Sequence, residues 1–173
     1  GGMAMKTSQQ GIDLIKHYES LHDGDLTTIG LQPKLDPAGI VTWGYGHTES
    51  YNGALIKDFE TAKKTFPELE TMTEEQAESL LSKDLEKVEA KIKLRINIPV
   101  AQYEFDALVS YFFNIGYSAT MVQLVNLKAS AKEIIEWFVS HYITTEGKFM
   151  AGLLYRRQSE AHLFTTGELK FYN

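Results

Sequence analysis

The chain has 173 residues, 43% of them hydrophobic, no cysteine, and 17 basic against 23 acidic side chains for a formal charge of −6. That length supports one domain, or two closely joined lobes, with a core of its own. The absence of cysteine excludes disulfides and thiolate metal sites; the acidic balance argues against nucleic acid as a partner; and no apolar run approaches the roughly 20 residues of a membrane span.

No segment resembles a signal peptide, stable membrane insertion is not expected, and a cysteine-free chain fits synthesis in a reducing cytosol. Gly1-Gly2-Met3 reads as an expression remnant and is set aside. The first predicted helix runs from Ser8 to Leu21. Ile12 and Ile15 share a face with Glu19 at helical spacing, which puts its carboxyl where an apolar stripe meets a cleft, near the helix C-terminus. Desolvation and the negative end of the helix dipole both favour the protonated form that a general acid needs.

Residues 22–72 read as an irregular small lobe. Within it, Asp36-Pro37-Ala38-Gly39 has the residue pattern of a type I turn. The chain is then predicted to run extended to His47. Alternation puts Ile40, Thr42, Gly44 and Gly46 on one face and the bulkier Val41, Trp43, Tyr45 and His47 on the inward one. The first face offers one hydroxyl and two positions without side chains, room for a ligand or another backbone. Taken alone, Gly-Tyr-Gly fits a hairpin with structural glycines as well.

A long helix is predicted over 73–94, opened by a capping box between Thr73 and Gln76. Ala77, Leu80, Leu81, Val88 and Ile92 form its apolar stripe, and its Lys and Glu residues read as a solvated face. The next helix lies between Pro99 and Gly116, with Phe105, Leu108, Val109, Phe112 and Phe113 as core. Further helices are predicted over 118–127, 131–143 and 152–165, with Trp137 in the core. The fold class is α+β, mostly helical: a small β-containing N-terminal lobe (22–72), a long joining helix (73–94), and a helical lobe (8–21 and 95–173).

A carboxylic acid at Glu19, followed by a carboxylate at Asp36 and a hydroxyl at Thr42 six positions on, is the equipment of glycosidic-bond hydrolysis. His47 is expected to end the strand as a hydrogen-bonding residue, since the other histidines lack ligand spacing. Arg156 and Arg157 could pair with Glu19 or touch substrate, one of them remaining an ordinary surface ion pair. Asn114 reads equally as a helix cap or as part of a cleft floor.

These residues resemble the phage-type lysozymes (endolysins, muramidases), a group of peptidoglycan-cleaving glycoside hydrolases. Glu19, Asp36, Gly39, Thr42, Gly44, Gly46 and His47 match the family pattern. The likeness continues through Thr73–Leu85, through Gln102–Ser110 to Gly116, and through Gly152, Leu153, Arg156, Arg157 and Glu160. The stretch between Glu19 and Asp36 is longer than is usual in the family, so 22–35 reads as a longer loop over the cleft, and 49–69 reads as a second insertion before the connecting helix. The resemblance implies a two-lobed lysozyme-like fold forming a single catalytic domain, with a hinge at the long helix. It implies cleavage of the β-1,4 bond between N-acetylmuramic acid and N-acetylglucosamine in peptidoglycan. Glu19, Asp36 and Thr42 would be catalytic, and Gly44, Gly46, Asn114, Arg156 and Arg157 would face the glycan. No metal or organic cofactor is called for, and a monomer is expected. Synthesis in the host cytoplasm with action at the wall or periplasm would depend on a separate holin for access. A lytic transglycosylase, a chitinase-like glycosidase and a catalytically silent wall-binding module are the competing readings; the presence of Glu19, Asp36 and Thr42 counts against the first and the last.

Overall fold

The structure, a computed structural model, describes residues 5–19 and 31–173. In chain order its elements are α1 (Gln9–Tyr18), β1 (Lys34–Leu35), β2 (Val41–Thr42), β3 (Ser50–Tyr51), β4 (Ala54–Leu55), α2 (Phe59–Thr65), α3 (Glu74–Arg95), α4 (Gln102–Ile115), α5 (Ala119–Asn126), α6 (Ala131–Ser140), β5 (Thr144–Thr145), β6 (Lys148–Phe149) and α7 (Ala151–Thr166). The class is the expected one, α+β and mostly helical. The strands form three separate antiparallel pairs, β1–β2, β3–β4 and β5–β6. Two units emerge: Gly1–Tyr18 with Leu85–Asn173, and Glu19–Asp84. Helix α3 contributes residues to both.

In the larger unit α4 packs against α1 and α7, and α6 packs against α5 and α7. Phe105, Leu108, Val109 and Phe112 of α4 are buried as their spacing requires, together with Leu14, Ile15, Phe138 and Leu163. Trp137 is only half-buried and stacks on His141 at 3.5 Å; the core residues of α6 are Ile134 and Phe138. Helix α4 starts at Gln102, later than Pro99, because the Glu104 carboxylate accepts from the Ala101 N–H at 2.7 Å and so caps the first turn. It stops at Gly116, whose φ of 93° few other residues tolerate. Ser118 and Ser130 cap α5 and α6 through bonds from Met121 N and Glu133 N.

The start of α1 is held by two remote carboxylates. Asp106, fully buried on α4, accepts from Ser8 N (2.9 Å), from Gln102 Nε2 (2.9 Å) and from the Ser8 hydroxyl. Glu89, 7% exposed on α3, accepts from both the N–H and the hydroxyl of Thr7 at 2.7 Å. Negative charge at a helix N-terminus is favourable, and these bonds serve backbone donors that no helical carbonyl reaches. Glu89 thus corrects the expectation that all the charged residues of α3 are solvated. Helix α1 ends at Tyr18, so Glu19, expected on the helix, lies just beyond it; the rest of the predicted extension to Leu21, and residues 22–30 of the predicted loop, lie outside the described residues.

In the smaller unit Leu31 and Met72 exchange two backbone bonds (2.7 and 2.9 Å). Val41 N donates to Ile56 O at 2.8 Å, which ties β2 to the chain leaving β4. Val41, Trp43, Tyr45, Ile56, Ala62 and Met72 are buried together with Ala77 and Leu81 of α3. The Thr73–Gln76 capping box forms as expected, with bonds of 2.9 and 3.1 Å. Residues 49–69, read from sequence as an insertion, hold β3, β4, α2 and a 3-10 turn over Pro67–Leu69. Asp58 caps α2, and the backbone N–H of Thr61 holds its carboxyl below its ordinary pKa.

Replacing Asp106 by alanine removes an ionised acceptor from donors that stay in place. The Asp106→Ala variant is expected to lose about 2–3 kcal/mol of unfolding free energy in urea denaturation.

Candidate functional site

The segment from Lys34 to His47 is built around the Asp36 turn. Asp36 Oδ1 accepts from Ala38 N and Ile40 N, each at 2.9 Å, while Gly39 N donates to Asp36 O at 2.9 Å and Gly39 takes φ 82°. An aspartate that hydrogen-bonds its own turn fixes the direction of its carboxylate relative to the backbone. β1 and β2 leave that turn with Leu35 opposite Val41 and Lys34 opposite Thr42. Thr42 is 7% exposed, and its hydroxyl donates to Ile40 O at 3.2 Å. With its proton so directed, the hydroxyl oxygen can only accept from a further partner.

The extended run predicted to His47 ends sooner. After Trp43 the chain turns through Gly44 (φ 56°) and Gly46 (φ 82°), and Trp43 and His47 pair across the turn with bonds of 2.8 and 2.9 Å. Regular extended backbone therefore ends at Trp43, because two left-handed glycines reverse the chain, and Thr42, expected on the outer face, is buried as Val41 and Trp43 are. A Cβ on Gly44 would lie 3.1 Å from Ala77 Cβ and 3.3 Å from Met72 Cε. Of the two readings given for these open positions, a ligand or a neighbouring backbone, the approach of α3 at Gly44 fits the second. His47, expected as a structural residue, bridges Asp84 through Nδ1 and Glu49 through Nε2, both at 2.7 Å. Burial opposes its charge, but hydrogen bonds and Coulombic attraction from Asp84 and Glu49 outweigh it and raise its pKa above 6.5. Among the described residues no group of three or more His, Asp or Glu is placed to hold a metal ion.

Glu19 follows the last residue of α1 directly and is half-buried. Glu19, Asp36, Thr42, Gly44 and Gly46 belong to the smaller unit, and Asn114, Arg156 and Arg157 to the larger. In the larger unit the structure gathers a buried ionic cluster. Arg157 Nε lies 2.8 Å from Glu160 Oε1 and Arg156 Nε lies 3.3 Å from Glu160 Oε2; Arg157 and Glu160 are fully buried and Arg156 is 3% exposed. Ser110 donates to Glu160 at 2.6 Å, Arg156 reaches Ser110 O at 3.1 Å, and Arg157 Nη2 donates to Asn114 Oδ1 at 2.7 Å. The Arg157 guanidinium also sits 5.1 Å from the Tyr111 ring centre. Burial, partly offset by Glu160, lowers the Arg157 pKa, and burial pushes the Tyr111 hydroxyl up to about 12. Neither arginine is the surface ion pair expected of one of them. Asn114 is exposed, and the helix end that it was expected to cap is closed by Gly116 instead.

Residues 25–160 match the phage lysozyme family. The chain belongs to that family. It is 32% identical to the endolysin of Acyrthosiphon pisum secondary endosymbiont phage 1 over 92% of this chain and 98% of that one. Among solved structures, an endolysin from Escherichia coli O157:H7 phage FAHEc1 matches with a TM-score of 0.73 at 31% identity, covering 98% of this chain and 99% of that one. A crystal structure of a P22 lysozyme mutant matches with a TM-score of 0.68 at 30% identity, covering 94% and 99%. As a phage lysozyme family member the protein is a hydrolase of the lysozyme (muramidase) class, acting on peptidoglycan in cell-wall lysis.

Two participants in this family member's architecture escaped the sequence reading. Glu160 appeared only as part of the family likeness, yet it organises both arginines. Glu49 was placed in an insertion, yet it is the second carboxylate on His47. Both lie at short spacing from a basic partner, Glu160 three and four residues after the arginines and Glu49 two after His47, and that spacing is the available signal.

Glu160→Ala leaves Arg157 buried without its carboxylate and is expected to cost about 3–5 kcal/mol, measured by chemical denaturation. His47 generates a pH dependence of the opposite sense to that of a paired carboxylate. Because its folded pKa is raised, its contribution is complete below the unfolded value of 6.5 and disappears as pH rises through the folded value. Urea midpoints of the wild type should fall with pH across that window. In His47→Gln that part of the slope should be absent.

Proposed function

We propose that the enzyme hydrolyses the β-1,4 bond between N-acetylmuramic acid and N-acetylglucosamine, with Glu19 as general acid and a water held by Asp36 and Thr42. The observation that carries this reading is the hydrogen bond from Thr42 to Ile40 O. It leaves the Thr42 oxygen as an acceptor on the same hairpin as the Asp36 carboxylate. A water giving its protons to those two oxygens turns a lone pair outward, as a nucleophile must. Glu19 supplies the proton to the departing sugar oxygen. Such a water-filled arrangement corresponds to carboxyls about 6.5–9.5 Å apart and to inversion at the anomeric carbon.

Other roles follow from the bonding of each residue. Asn114 Oδ1 accepts from Arg157 Nη2, which turns the Asn114 amide N–H₂ outward to donate to a glycan. Arg157 and Arg156 act on that surface through Asn114 and Glu160, since their own burial withholds them from polymer. Gly44 and Gly46 shape the turn beneath the substrate. The two units work as a single catalytic domain on peptidoglycan strands, as a monomer and with no cofactor, and a separate membrane lesion such as that of a holin gives access to the wall. No helix among the described residues is long and apolar enough to cross a membrane.

Digestion of purified peptidoglycan by wild type and Glu19→Gln, with fragments reduced by borohydride and weighed, tests the proposal. Reducible muramic ends from wild type, with release by Glu19→Gln lower by at least about a hundredfold, are expected. Anhydro ends would reassign the enzyme as a transglycosylase. Equal release by both proteins would remove Glu19 from the mechanism.

A further inference from the structure

Helix α1 is anchored at its far end by a closed ring of three hydrogen bonds. Tyr18, its last residue, lies with its hydroxyl 2.8 Å from Tyr172 O and 2.5 Å from Ser159 Oγ, and Tyr172 N lies 3.1 Å from the same Oγ. The proton count admits one arrangement. The Tyr172 N–H must donate to Ser159 Oγ, and the Tyr18 hydroxyl must donate to the Tyr172 carbonyl, which has no proton to give. The Ser159 hydroxyl therefore donates to Tyr18. Each group gives one proton and receives one, and bonds linked in this way polarise one another. Ser159 is fully buried on α7, so the ring fastens α1 to α7 through an irregular segment, Glu168–Tyr172, that follows Gly167. One residue along, the His17 and Phe171 rings stack at 4.0 Å and 13°.

The last residues of α1 are therefore clasped on two sides immediately before Glu19. We infer that Tyr18 and Phe171 are positioning residues for the acid, the ring and the stack together fixing the backbone from which Glu19 departs. This rests on the reading of Glu19 as the general acid. An acid must meet one oxygen of the bond being cleaved, and small misplacements of a catalytic group lower turnover more than binding. The glycan contacts proposed above involve neither Tyr18 nor Phe171, so the clasp should act on turnover rather than on affinity.

Tyr18→Phe removes two of the three bonds and keeps the ring body; Phe171→Ala removes the stack; Phe171→Tyr keeps it. Activity on soluble glycan fragments of peptidoglycan is measured together with the melting temperature of each variant and of Glu19→Gln. Tyr18→Phe and Phe171→Ala should lower kcat by about tenfold to a hundredfold with KM within about twofold, while remaining folded at the assay temperature. Phe171→Tyr should restore kcat. Unchanged kcat in both loss variants beside an inactive Glu19→Gln would overturn the clasp and leave the acid in place. A loss of kcat matched by the unfolded fraction would likewise reduce the clasp to structure alone. Full activity in Glu19→Gln would remove the reading on which the clasp rests.

Discussion

One face of α4 carries a polar side chain at every fourth residue, Asp106, Ser110 and Asn114, and the packing of the larger unit depends on satisfying them. Asp106 and Ser110 are fully buried, and an unpaired polar group in such a place is costly. Asp106 answers to Ser8 at the start of α1, Ser110 to Glu160 and Asn114 to Arg157, both on α7. Apolar contacts hold helices together without selecting one register, whereas these bonds close in a single register. Glu160 also sets the rotation of α7, and its neighbour Ser159 then faces Tyr18. A stripe on one helix thus locates both ends of α1, and through α1 the residue that follows it.

The helices were legible because burial follows period. Ala77, Leu81 and Ile92 on α3, and Phe105 to Phe112 on α4, sit where the pattern places them. Two hairpins were missed. β3–β4 turns on Asn52-Gly53 (φ 52° and 80°) and β5–β6 on Glu146-Gly147 (φ 52° and 79°). Asn-Gly is a strong hairpin signal, but the flanking strands are two residues each and too short to alternate visibly. At the site, the Asp36 turn and Thr42 could be read locally, since each bonds within a few residues; of the two partners of His47, Glu49 stands two positions away and Asp84 37. The burial of Glu89 and Asp106 could not be read locally. Their partners stand 82 and 98 positions away in the chain, and periodicity counts a charged side chain as solvated until a distant donor claims it.

Among its described residues the smaller unit has little regular structure to hold it: strands of two residues, the short α2, a 3-10 turn and the first part of α3. Its coherence comes from cross-links between neighbouring pieces: Val41 to Ile56, Leu31 to Met72, and His47 to both Asp84 and Glu49. Trp43, fully buried, lies edge-on to Phe66 and beside His47. Each link joins segments that no helix or sheet would keep together.

The close approach of Gly44 to Ala77 sets limits on how this region can diverge. Two separate demands fall on Gly44: a left-handed backbone, met most easily by glycine, and an approach to α3 so close that a Cβ would lie 3.1 Å from that of Ala77 and force a neighbour to give. A smaller neighbour at position 77 would relieve the second demand and leave the first. The two positions are therefore constrained unequally: a larger side chain at position 77 would press on Gly44, whereas no substitution on α3 releases position 44 from its left-handed backbone.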